Sequence, residues 1–131
     1  MKYLTDYMQE KQTEALNKAG AFFAFSEKQY NEQRVDGVVY NSLPGGLLCP
    51  EGKAKELLAS LDTIYHEAIK QDIAENGIDA IIKRELANHE CYYTGDIDDC
   101  IDKLVNYPVT AEQILEVFLS EKNTPEVLAN L

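Results

Sequence analysis

The sequence predicts an α+β fold dominated by helices, with a small antiparallel sheet of about three strands near the N-terminus. Three observations carry this. Apolar residues recur at helical spacing through most of residues 51–131. Three short apolar or aromatic runs lie within residues 21–49, separated by glycine and proline turn signals. The runs are close in sequence, so they pair locally rather than through long crossovers. A chain of 131 residues, 45% apolar, has the size and composition of one domain with its own core. It is read as a single domain over 1–131, with helix plus sheet in 1–50 and a helical part in 51–131.

Each element has a local reason. Thr5 caps a first helix that runs to about Lys18, and Gly20 ends it in the left-handed conformation. Ala21–Phe25 is short and aromatic, which suits a buried strand. Ser26 and Gln29 form a capping box that opens a second helix, ending near Asp36-Gly37. Val38–Ser42 reads as a strand and Leu47–Cys49 as its partner. Between them, Leu43-Pro44-Gly45-Gly46 fits a type II turn, with proline at its second position and a glycine free to take positive φ at its third.

Pro50 starts the longest helix, about Glu51 to Asn76, which Gly77 ends. Its stripe is Ala54, Leu57, Leu58, Leu61, Ile64, Tyr65, Ala68, Ile69 and Ile73. A fourth helix spans Ile78 to about Tyr93, with Ile78, Ile82, Leu86, His89 and Tyr93 on one face. Asp96 caps a short fifth helix whose face is Ile97, Cys100, Ile101, Leu104 and Val105. Residues 106–109 connect it to a sixth helix opened by a Thr110/Gln113 capping box, with Ile114, Leu115, Val117 and Phe118 inward. Thr124-Pro125 starts a last helical turn.

No motif in this chain requires a chemical reaction. Gly46…Gly52-Lys53-Ala54 has the wrong glycine spacing for a phosphate loop, and alanine stands where the magnesium-binding hydroxyl belongs. Asp96-Ile97-Asp98-Asp99 lacks the fifth-position oxygen and sixth-position glycine of a calcium loop; its acids suit the positive end of a helix dipole. His89 and Cys91, two apart on a helix, point in different directions. His89 shares a face with Ile82 and Leu86, as a packed structural histidine would. There is no nucleophile elbow. Cys49, Cys91 and Cys100 match no zinc spacing and read as small buried hydrophobes, with a Cys91–Cys100 bridge as the oxidised alternative. The expectation is a non-enzyme without cofactor or metal. No secretory signal and no bilayer-length apolar run is visible, so a cytoplasmic protein away from membranes is expected.

Charge is the strongest functional signal. The chain holds 23 acids and 12 bases, a net −11. Such a chain repels nucleic-acid phosphates, which argues against direct nucleic-acid binding even though residues 97–120 have helix–turn–helix spacing. Residues 96–131 carry eight acids against two bases. Asp98, Asp99, Asp102, Glu112 and Glu116 fall opposite the apolar positions of their helices, and form a candidate face for a basic partner. Tyr92 and Tyr107 lie beside this segment as candidate interface anchors. Acidity also serves plain solubility.

Two strings carry a resemblance. Gly20-Ala21-Phe22-Phe23-Ala24-Phe25-Ser26 precedes Asn31-Glu32-Gln33, and Glu85-Leu86-Ala87-Asn88-His89-Glu90 precedes Tyr92-Tyr93-Thr94-Gly95-Asp96. Together they resemble an uncharacterised family of small acidic proteins from bacteriophages and prophages. The strings carry no chemistry, so the resemblance assigns no functional residues. It implies a context: small phage accessory proteins bind and block host enzymes, and anti-restriction and anti-CRISPR proteins among them include acidic mimics of DNA. The expected function is therefore a phage-type interaction protein in the host cytoplasm. It would inhibit a nucleic-acid-handling defence complex by binding a host protein with a basic surface. A phage accessory or assembly protein with a non-inhibitory binding role is the alternative, and a small enzyme the third reading. A homodimer remains open.

Overall fold

A computed structural model describes residues 1–131. It is 66% helical, about twice the globular average. Contacts divide the chain into two units, residues 2–68 and residues 69–131, the second with Met1. No helix is long and apolar enough to cross a membrane.

The first unit opens with α1 (Leu4–Ala19). Its N-cap is Tyr3 rather than the expected Thr5, because the Tyr3 backbone N–H donates to Asp6 Oδ2 at 2.8 Å. Gly20 ends the helix at φ 74°, as expected. Three strands follow, β1 (Phe22–Phe23), β2 (Tyr40–Leu43) and β3 (Leu47–Pro50), with α2 (Glu27–Gln33) between the first two. The sheet is antiparallel with β3 in the centre, pairing Phe22 with Leu48 and Leu43 with Leu47. Gly45 takes φ 81° and ψ 17° in the turn, the left-handed third position that the Pro-Gly pair predicts. The core of this unit is Ala21, Leu47, Cys49 and Leu57, flanked by Leu16, Leu43 and Leu61.

Two strand expectations need correction. Ala21–Phe25 is not a buried strand: only Phe22–Phe23 pairs, and Phe23 and Phe25 are 46% and 75% exposed. A two-residue edge strand has one paired side, so alternate rings turn outward. Val38–Ser42 shifts to Tyr40–Leu43, since Val38 N–H closes a turn on the Val35 carbonyl.

Helix α3 (Ala54–Asn76) contributes residues to both units. Leu58, placed on its inner stripe by spacing, is 48% exposed, whereas Asp72 on the same helix is wholly buried. The second unit continues with α4 (Ile78–Asn88), α5 (Cys91–Thr94), α6 (Asp98–Lys103), α7 (Ala111–Glu121) and α8 (Pro125–Ala129). Helix α4 packs against α5, α6 and α7 around Ile81, Ile82, Leu86, Cys100, Leu104 and Ile114, all nearly inaccessible. The Thr110/Gln113 capping box forms as expected.

The expected single helix from Ile78 to Tyr93 is two helices. His89 N–H closes α4 on the Glu85 carbonyl, and Glu90 then takes φ 55° and ψ 31°. It is the one non-glycine residue with positive φ. The N-cap of α6 is Ile97 rather than the expected Asp96, whose Oδ1 accepts from Asp98 N–H at 2.9 Å just outside the helix. Tyr93, Val105 and Leu115, expected on inner faces, are 76%, 71% and 43% exposed.

Candidate functional site

The structure places the predicted residues in three different settings. Asp98, Asp99 and Asp102 on α6 are exposed, as are Glu112 and Glu116 on α7. Asp98 and Asp102 stand one turn apart, as do Glu112 and Glu116, so each pair shares a helix face. Asp98, Asp99 and Glu112 also lie in first turns, where the helix dipole favours a negative charge. None of the five takes part in an ion pair. Helices α6 and α7 pack on each other.

Tyr92 is half-buried. Its ring stacks on Phe118 with centroids 5.6 Å apart and planes at 14°. Burial, and then the nearby Glu121 carboxylate, push its phenol up to about 12. Tyr107 corrects the expectation of a surface anchor. It is only 4% exposed, and its hydroxyl donates to Asp72 Oδ2.

That hydroxyl belongs to a buried polar cluster which the sequence reading missed. Asp72 is held by Arg84 in a two-pronged bridge, Nη1 to Oδ1 at 2.8 Å and Nη2 to Oδ2 at 2.9 Å. Asn76 Nδ2 donates to the same carboxylate at 2.8 Å. Arg84 Nε reaches Glu85 Oε1 at 3.1 Å, so one guanidinium serves two buried acids. Burial works against charge on Asp72, but hydrogen bonds from Arg84, Tyr107 and Asn76 outweigh it and hold the carboxyl below its ordinary value. Burial, and then the bond to Asp72, raise the Tyr107 hydroxyl. The signal that could have found Asp72 was its place on α3, four residues after Ala68 and three after Ile69, in the middle of the apolar stripe.

His89 ends α4, with its side chain 27% exposed and Nε2 3.5 Å from the buried Glu85 Oε2. Neither atom has a hydrogen-bond partner. The cysteine thiols are free and buried. No group of three or more His, Cys, Asp or Glu side chains is arranged to hold a metal ion.

This unit holds a cleft of about 610 Å³. Helix α4 lends it Lys83 and Ala87, the α4–α5 junction Glu90, Tyr92 and Tyr93, and the C-terminal region Glu121, Glu126 and Val127. Lys83 is tied to Asp79 at 3.0 Å and Glu121 at 3.2 Å, and these contacts raise its ammonium above the ordinary lysine value. Glu90, the strained residue, sits on the cleft wall. Glu90→Gly removes a left-handed cost of about 1–2 kcal/mol. It adds roughly 0.5–1 kcal/mol of unfolded-chain entropy. The expected result of a thermal melt is therefore an equal or slightly higher Tm; a clear drop would show that the Glu90 side chain stabilises the fold.

The chain belongs to a family of unknown function, DUF7659, whose profile matches residues 4–122. No curated protein and no solved structure matches the chain.

Proposed function

We propose that this chain is a small acidic interaction protein of phage type. It binds and inhibits a host nucleic-acid-handling defence complex, with no catalysis of its own. The observation that supports this best is the set of five exposed acids on α6 and α7, none of them in an ion pair. Their field is left uncompensated and steers toward a basic groove. Direct nucleic-acid binding runs against the net charge of −11. The host cytoplasm is where such a partner would be met.

The experiment is a pull-down from host lysate with the full chain and with Asp98→Lys/Asp99→Lys/Asp102→Lys, at low and at high salt. The expected result is capture of a nucleic-acid-handling protein by the natural chain at low salt, lost on charge reversal and weakened by salt. Each rim charge alone is worth only about 0.2–1 kcal/mol. Three reversals together are therefore expected to lower partner affinity by one to two orders of magnitude, chiefly through association rate. Unchanged capture at low salt would reduce the acidic face to a solubility coat.

A second reading has its own support. Val105, Leu115 and Leu119 are 71%, 43% and 51% exposed in the same unit as the acids. Apolar side chains among charges suit a protein–protein contact, as in a phage accessory or assembly role without inhibition. Capture of a phage structural protein in the same experiment would favour that role.

A further inference from the structure

Within the cleft of the second unit, the charges do not balance. Glu90, Glu121 and Glu126 face it against Lys83 alone. Lys83 is already paired with Asp79 and Glu121, so Glu90 and Glu126 remain as free carboxylates. Two tyrosine rings complete the wall: Tyr92 is fixed by stacking on Phe118, and Tyr93 is 76% exposed. The volume of about 610 Å³ admits a long side chain presented by another protein. A ligand here must carry positive charge and an apolar or planar surface. A guanidinium has both, since it pairs with carboxylates through its fork of N–H donors and lies flat against aromatic faces. An ammonium offers only the point charge.

We propose that this cleft takes an arginine side chain presented by a protein partner. Glu90 and Glu126 would accept from the guanidinium, and Tyr92 and Tyr93 would flank it. This rests on the reading that the chain seeks a basic partner, and it names the side chain recognised.

The test uses the full-length ¹⁵N-labelled chain and three capped tripeptides, Gly-Arg-Gly, Gly-citrulline-Gly and Gly-Lys-Gly. Amide shifts are expected at Glu90, Tyr92, Tyr93, Glu121 and Val127 with the arginine peptide. Citrulline keeps the shape but lacks the charge, and should bind roughly tenfold more weakly, with lysine between the two. Tyr93→Ala and Glu126→Gln alter exposed positions and keep the fold; each is expected to weaken arginine binding by about fivefold. Equal binding of citrulline, or no shifts at the cleft, overturns the proposal. The Asp98→Lys/Asp99→Lys/Asp102→Lys chain separates the two ideas. If it still shows the cleft shifts, the cleft stands whatever becomes of the acidic face. If the shifts fall on α6 and vanish in that variant, the arginine sits on the acidic face and the cleft proposal fails.

Discussion

Asp72→Ala is expected to cost about 3–5 kcal/mol, since it leaves the Arg84 guanidinium buried without its main counter-charge. Arg84 is 7% exposed, too little for water to replace the lost carboxylate. Chemical denaturation read by circular dichroism would show the midpoint collapse. Tyr107→Phe removes the hydroxyl that bonds to the same carboxylate and to Arg84 but leaves the ion pair in place, and should cost less, about 1.5–3 kcal/mol. The cluster also sets a pH window. The Asp72 carboxyl lies below its ordinary value in the folded state, so its contribution is present above about pH 4 and is lost as pH falls through the folded value. The Tyr107 hydroxyl is raised instead. Its contribution is complete below about pH 10 and is lost as pH rises through the folded value. Asp72→Asn should flatten the acid limb. An acid limb as steep as that of the natural chain would show that other carboxylates dominate it.

Phe118→Ala is the second large effect, at about 3–5 kcal/mol for an aromatic ring removed from a packed site. Phe118 is 9% exposed and forms the floor on which Tyr92 stacks. A double-mutant cycle with Tyr92→Ala should return a coupling of about 0.5–1.5 kcal/mol. The Tyr92 phenol, pushed up to about 12, should fall toward the ordinary tyrosine value in Phe118→Ala as water reaches it. An alkaline NMR titration reads that shift directly. A cycle with no coupling would mean that the stacked geometry contributes nothing beyond burial.

Features written in local chemistry were legible in the sequence. The Thr110/Gln113 box, the helix stop at Gly20 and the turn at Gly45 each depend on residues within one turn of each other. The small sheet followed, because the turn fixed which strands face each other. The break at Glu90 was illegible. No glycine or proline marks it, and glutamate reaches the left-handed region only because its surroundings impose it. Asp72 was overlooked for a related reason. Its partners Arg84 and Tyr107 lie 12 and 35 residues away, and charge counting treats any acid as surface. Tyr107 was misplaced by the same logic, since a tyrosine beside acids looks like an anchor until its hydroxyl finds a buried carboxylate. The acids of α6 and α7 are exposed where helical periodicity puts them, although the same periodicity wrongly turned Val105 and Leu115 inward.

The three cysteines have a practical use. Burial raises all three thiols, Cys100 to about 12, so in the folded chain they are both shielded and protonated. An alkylating reagent can react only after the surrounding structure opens. Cys49 sits in residues 2–68, and Cys91 and Cys100 in residues 69–131. The native chain therefore carries one covalent clock in the first unit and two in the second. Mass spectrometry of alkylated peptides over time would give the opening rate of each unit separately, without an introduced label.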